Sequence, residues 1–195
     1  DPRVVKDAHV LKTMTYEEAM EMSHFGAKVI YPPTMLPAMQ RHIPIVIKNT
    51  FNPEAPGTLI SHAHKKSKYS IKGISSIHSV ALIRIEGSGL IGIAGIAMRV
   101  FQSLARRKVN VILISQASSE HSICFAVEPG QAENARLGLE EDFEFELSSR
   151  QIEPISVTLE LSCLAVVGED MRKKPGVAGK LFSALGDAGV NVVAI

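Results

Sequence analysis

Gly95-Ile96-Ala97-Met98-Arg99-Val100-Phe101-Gln102-Ser103-Leu104, closing on Val109-Asn110-Val111-Ile112-Leu113-Ile114, returns 81 residues later. The second copy reads Gly176-Val177-Ala178-Gly179-Lys180-Leu181-Phe182-Ser183-Ala184-Leu185, closing on Val190-Asn191-Val192-Val193-Ala194-Ile195. Gly95 maps on Gly176, Phe101 on Phe182 and Asn110 on Asn191 without a gap, which marks an internal repeat. In copy one, Ile93, Ile96, Ala97, Val100, Phe101 and Leu104 recur at helical spacing. They form one apolar face, with Arg99, Gln102, Arg106 and Arg107 turned outward. A strand precedes each helix, Val80–Ile85 and Ser162–Val167, and the runs Asn110–Ile114 and Val190–Ile195 read as strands after it. Strand–helix–strand of this kind implies parallel strands joined by a right-handed crossover.

Copy one goes on through a polar turn at Ser118-Ser119-Glu120-His121 to a strand at Ser122–Val127. The short turn makes that strand antiparallel to its predecessor. A helix over Gln131–Asp142 follows, with Ala132, Ala135 and Leu139 inward, then a fourth strand alternating at Ile155, Val157 and Leu159. The order βαββαβ is the ferredoxin-like plan of an α+β fold, an antiparallel sheet with both helices on one face. Copy two stops after the equivalent of its second strand, so the expectation is one complete unit and one truncated unit. The chain opens on Asp1 and closes on a strand-like run. It is therefore expected to be a piece of a longer polypeptide.

Before the repeat, Thr15-Tyr16-Glu17-Glu18 is a capping box and Gly26 a helix stop, which predicts a helix over 16–25. Tyr31-Pro32-Pro33 reads as a breaker, with Thr34 capping a second helix through Arg41; Ile43–Ile47 reads as a strand. Lys28, just past the first helix, either eases the helix's carbonyl end or meets a phosphate. Residues 61–72 are polar and basic and read as a solvated linker. His62 and His64 lack a third ligand, so no metal is expected. The domains expected are 1–62, a linker and strand over 63–79, copy one over 80–160 and copy two over 161–195.

The 195 residues are 46% hydrophobic and 21% charged, with a formal net charge of +1 and no Trp. These values exclude a disordered tail, a global field for nucleic acid, and serial base-stacking platforms. No apolar run reaches the ~20 residues of a membrane span. The two lone cysteines, Cys124 and Cys163, fit a reducing, cytoplasmic setting.

Gly87-Ser88-Gly89-Leu90-Ile91-Gly92 matches the dinucleotide pattern G-x-G-x-x-G. The antiparallel third strand, Ser115-Gln116 where an acidic residue should stand, and the unlike loop of copy two all argue against an oxidoreductase reading. The same corner, a glycine-rich turn at a helix N-terminus, suits a carboxylate. Gln116 adds an amide that both donates and accepts. With no charged side chain nearby, a small neutral zwitterion fits best as ligand. The glycines serve a tight turn equally well, and both readings stand at this point.

Asp1-Pro2-Arg3-Val4-Val5, Tyr16-Glu17-Glu18-Ala19, Phe25-Gly26-Ala27-Lys28-Val29, Ile43-Pro44-Ile45 and Pro56-Gly57-Thr58-Leu59-Ile60 are similar in order and spacing to the end of the kinase domain of aspartokinases. The two repeats resemble the ACT domains that follow it. Ile47-Lys48-Asn49-Thr50, Lys72-Gly73-Ile74-Ser75 and Ile114-Ser115-Gln116-Ala117-Ser118-Ser119-Glu120 resemble the threonine-sensitive half of bifunctional aspartokinase/homoserine dehydrogenases. The resemblance implies a C-terminal piece of an α/β amino-acid kinase domain followed by ACT units. It implies a parent enzyme that phosphorylates L-aspartate with ATP and Mg, with NADP only where a homoserine dehydrogenase follows. Arg3 and Lys28 match residues at the ATP site. Gly92, Gly95, Ile96, Ala97, Asn110, Ile114 and Gln116 would line an effector site for L-threonine, with L-lysine the alternative. ACT pairing implies a homo-oligomer, a dimer or higher, with neither nucleic acid nor membrane as partner. A stand-alone amino-acid-binding module is the other reading. No catalytic residue is expected within the chain. The purified 195-residue chain should therefore release no ADP above background when mixed with ATP, Mg and aspartate in a coupled assay.

Overall fold

The computed structural model describes residues 4–27, 29–63, 70–116 and 121–195, apart from the side chains of residues 172 and 173. The chain divides into two compact units, residues 1–77 with 164–190, and residues 78–163 with 191–195.

The first unit begins with β1 (Thr13–Thr15), which runs directly into α1 (Tyr16–His24). The expected capping box is present: Thr15 Oγ1 accepts from Glu18 N, and the Glu18 carboxylate accepts from Thr15 N. The helix stops in a Schellman turn, with Gly26 at φ 109° and Ala27 N donating to Met22 O. Helix α2 (Pro32–Gln40) follows. Here the expected breaker is the helix start. Pro32 and Pro33 occupy the first turn, where a missing N–H costs nothing. Thr34 does not cap; its hydroxyl donates to Tyr31 O. Strands β2 (Ile45–Ile47) and β3 (Thr58–Ser61) complete a three-stranded sheet in the order β1-β3-β2. Met14, Tyr16, Ala19, Met35 and Ile60 form its core.

Strand β4 (Gly73–Glu86) then runs unbroken across the boundary between the units. Its opening stretch, 73–77, groups with residues 164–190 of copy two. Lys72 N donates to Val167 O in that copy's first strand. Residues 64–69 of the expected linker lie outside the described residues. Lys72 itself overturns the solvated-linker reading. It is buried, and its ammonium lies 2.6 Å from the Glu18 carboxylate, with side-chain exposures of 5% and 2%. Charge density in sequence cannot reveal a partner 54 residues away.

In the second unit β4 is followed by α3 (Ile96–Arg106), β5 (Val111–Gln116), β6 (Ser122–Val127), α4 (Ala132–Asp142), a short α5 (Glu144–Ser148) and β7 (Ser156–Val167). The sheet order is β5-β6-β4-β7, with β6 antiparallel to both β4 and β5. β4 and β5 therefore point the same way, as the crossover requires. This is the ferredoxin-like arrangement. Ile83 and Ile85 of β4, Phe125 and Val127 of β6, Val100 and Leu104 of α3, and Ala135 and Leu139 of α4 meet in one buried cluster. Three arginines of α3 and its cap, read as outward, are paired instead. Arg99 bonds Glu146 and Asp142 O and lies 4.2 Å over the Phe143 ring. Arg106 bonds Asp142, and Arg107 bonds Glu141 at 2.6 Å.

Three expectations shift. Helix α3 starts at Ile96, not Ile93, because left-handed glycines at 92 and 95 break the run. The fourth strand of copy one and the first strand of copy two are one strand, β7. No Gly or Pro separates them, and only Glu160, at φ 60°, marks a kink. Residues 191–195 form no strand ladder; Ser115 Oγ donates to Ile195 O at 2.8 Å. In copy two, helix α6 (Val177–Asp187) stands 81 residues after α3 at both ends, so the repeat holds in structure.

The Glu18 carboxyl would be raised by burial, but the Lys72 ammonium and the amides of Thr15 and Glu169 more than offset this and hold it below its ordinary 4.5. A folded-state pKa below the unfolded one gives stability that is complete above pH ~4.5 and lost as pH falls through the folded value. The denaturant stability of the parent protein, followed by near-UV circular dichroism, should thus fall more on acidification below pH ~4.5 in wild type than in a Glu18→Met/Lys72→Met variant, which lacks this protonation step.

Candidate functional site

The corner between β4 and α3 is built by backbone. Gly87 ends the strand where a Cβ would stand 2.4 Å from Gln151 O. Gly89 N donates to the same carbonyl at 2.8 Å. Ser88–Leu90 make one tight turn, with Leu90 buried under it. The first two glycines of the dinucleotide-like pattern are thus spent on packing against residue 151, and the Gly89 N–H is not available to a pyrophosphate. Gly95, at φ 89°, turns the chain into α3 and leaves the helix without a side-chain cap. The amides of Ile96, Ala97 and Met98 have no carbonyl within the helix to serve and carry its positive dipole end.

A cavity of about 380 Å³ opens there, bounded by Leu90, Gly92, Ile93, Ala94, Gly95, Ile96, Ala97, Gln116 and Ile123. It lies at the small end of the range for ligand pockets. Ile123 lies opposite Gln116 in the β5–β6 ladder, and Phe125 opposite Ile114. Residues paired across an antiparallel ladder project to one side. Gln116 and Ile114 therefore share the helix-bearing face with those core residues. Among the described residues the Gln116 side chain makes no hydrogen bond and no titratable side chain lines the cavity.

The structure brings together Gly92, Gly95, Ile96, Ala97 and Gln116. Ile114 is on the same face but outside the cavity wall, half exposed. Asn110 is not brought in. It precedes β5 whereas Gln116 ends it, and six residues of strand separate them by ~20 Å. Leu90, Ile93, Ala94 and Ile123 complete the wall and were missed; alternation along β6 could have flagged Ile123. Arg3 and Lys28 lie outside the described residues. A larger cavity of about 670 Å³, between α4, α5 and residues 150–154, gathers Glu140, Glu144, Arg150 and Glu153 and none of the expected site residues. Among the described residues no cluster of His, Cys, Asp or Glu could hold a metal, and no helix is long and apolar enough to cross a membrane. Cys124 and Cys163 are both buried and free. Burial pushes the Cys163 thiol up, keeping it protonated.

Two families match the sequence. The ACT domain matches residues 83–143 and 164–195, and the amino acid kinase family matches residues 1–49. The bifunctional aspartokinase/homoserine dehydrogenase of Haemophilus influenzae is 46% identical over the whole chain, which spans 24% of that relative's length. Aspartate kinase of Clostridium acetobutylicum superposes with a TM-score of 0.87 at 29% identity, covering 100% of this chain and 44% of that one. E. coli aspartokinase III superposes at 0.75 in its complex with aspartate and ADP (R-state), with 28% identity, 95% of this chain and 40% of that one. In its complex with lysine and aspartate (T-state) it superposes at 0.69 with 30% identity, again over 95% and 40%.

A Cβ on Gly95 would meet nothing within 4 Å, so only its left-handed backbone demands glycine. Gly95→Ala should cost about 1–2 kcal/mol. Gly130→Ala, with the same open space and no positive φ, should cost much less. Thermal denaturation of both variants checks the difference.

Proposed function

We propose that this chain, which bears the marks of the aspartokinase family along its whole length, is the regulatory part of an aspartate kinase, the tail of the kinase domain followed by two ACT units. The parent transfers the γ-phosphoryl group of ATP, with Mg, to the β-carboxylate of L-aspartate. It is fused to a homoserine dehydrogenase, where NADP belongs, and works in the cytoplasm. Arg3 and Lys28 contact ATP in it, placing positive charge where phosphoryl transfer builds negative charge. The match of residues 1–49 to a kinase family speaks against a stand-alone binding module.

The corner at Gly92–Ala97 receives an end-product amino acid and thereby inhibits the kinase. One observation carries this reading: a small cavity lies at the uncapped first amides of α3 beside Gln116, and no titratable group lines it among the described residues. A carboxylate sits against the amides of α3, where the helix dipole favours it. Gln116 takes the ammonium or a hydroxyl. Ile93, Ile96, Ala97 and Ile123 offer apolar contact to a methyl group. L-Threonine supplies all three. L-Lysine would bring a second ammonium to a wall that offers it no acid among the described residues, at a desolvation cost. Occupancy inhibits only as far as the ligand prefers one kinase arrangement over another. Antiparallel pairing of β5 with the same strand of a second copy would set that copy's Asn110 beside Gln116. This is the role we assign to Asn110, and the reason a dimer is the smallest assembly.

Calorimetry on the full-length parent should show saturable L-threonine binding and none by L-lysine at the same concentration. Gln116→Ala should weaken threonine by about 0.5–1.5 kcal/mol, the net scale of a hydrogen bond made by an exposed side chain. Tight lysine binding with no threonine heat would overturn the assignment.

A further inference from the structure

Helix α1, in the kinase-tail segment, is gripped at both ends. At its start the Glu18 carboxylate is nearly inaccessible and fully used. One oxygen accepts from Thr15 N at 3.0 Å and from the Lys72 ammonium at 2.6 Å. The other accepts from Glu169 N at 3.0 Å. At its end the Ser75 hydroxyl lies 3.0 Å from Met22 O and 2.8 Å from Phe25 O. A Cβ on Gly26 would stand 2.2 Å from Ser76 O, so the helix stop is pressed against β4.

Glu169 is the first residue of the tight turn in copy two, at the place Ser88 holds in copy one. The two corners differ in what anchors them. In copy one a turn amide, Gly89 N, is tied to the carbonyl of residue 151, which belongs to the same unit's ordinary packing. In copy two the turn amide is tied to a carboxylate of the kinase-tail helix. Gly168 is packed so closely that a Cβ would stand 2.3 Å from Ser70 O. The copy-two corner therefore cannot shift without moving either Glu18 or the Lys72 that neutralises it. An ion pair this buried has a sharp geometric optimum, because a displaced partner leaves a desolvated charge. Such a contact has two discrete outcomes, made or broken, as a switch needs.

We propose that Glu18, held between Lys72 and the Glu169 amide, is the coupling residue through which the copy-two corner sets the position of α1 and of its stop at Phe25–Ala27. Glu18 is a positioning residue; it touches no substrate. The inference rests on the proposed reading of the chain as a feedback-regulated kinase.

The threonine signal received at the copy-one corner must then reach the copy-two corner, and the test uses the full-length parent with L-threonine as probe, measuring calorimetric binding and kinase inhibition side by side. Glu18→Gln keeps the size of the side chain but removes the charge. Glu18→Met/Lys72→Met removes both charges and leaves none buried unpaired, although the Thr15 and Glu169 amides lose their acceptor; near-UV circular dichroism checks that it is folded before inhibition is read. The expected result for the double variant is threonine affinity within about threefold of wild type and uninhibited turnover within about threefold. Its maximal inhibition should fall to less than half of the wild-type value. A merely structural role would lower turnover or yield and leave fractional inhibition intact. Inhibition that stays complete in the double variant overturns the coupling while leaving the regulatory reading in place. Wild-type protein that binds no threonine overturns that reading, and the coupling with it.

Discussion

Both copies of the repeat depend on one backbone constraint. A glycine in the left-handed region, Gly95 in one copy and Gly176 in the other, turns a loop into a helix with no side chain over its first amides. Everything useful about the corner follows. In copy one the helix's apolar stripe closes on the sheet, and its uncapped amides are left facing a small concavity. The described residues that wall it are all neutral. In copy two the equivalent loop is Glu169-Asp170-Met171-Arg172-Lys173-Lys174, and the chemistry offered to a ligand is different. Duplication kept the geometry and let the side chains diverge.

The second unit was largely legible because its signals are local and periodic. The stripe Ile96, Val100, Leu104 and the inward set Ala132, Ala135, Leu139 predict the packed faces directly, and β6 lies where its apolar run begins and ends. Misplacement of the start of α3 has a plain cause. Ile93 fits the helical period, but period alone is blind to the positive φ at Gly92 and Gly95. The join between two expected strands was missed for a related reason. Nothing in Ile155–Val167 says where one strand stops, because a continuous strand has no stop.

Of the site, the sequence revealed the glycine corner and Gln116, which are punctuation and a strand end. Ile123 stayed hidden because a ladder partner is defined by register, not by spacing. Asn110 was grouped with Gln116 by resemblance, although simple strand geometry keeps them at opposite ends of β5. Lys72 was the hardest to read. A lysine in a basic run is ordinarily solvated. Only the fold brings it to Glu18, whose capping-box role was legible while its second role was not. One carboxylate here caps a helix locally and holds the residue that leads into β4, and the two duties share one oxygen atom, Oε2.

The unbroken course of β4 and β7 through both compact units bears on how such proteins can be reshuffled by inheritance. A genetic crossover placed where the repeat itself divides, near residues 80 or 160, would splice two parental sequences in mid-strand and separate side chains selected to pack together along it. Exchanges that cut instead in the turns beside Gly87 or Gly168 would pass whole strands to the offspring. Recombinant lineages should carry their seams in those loops, away from the boundaries that the duplication drew.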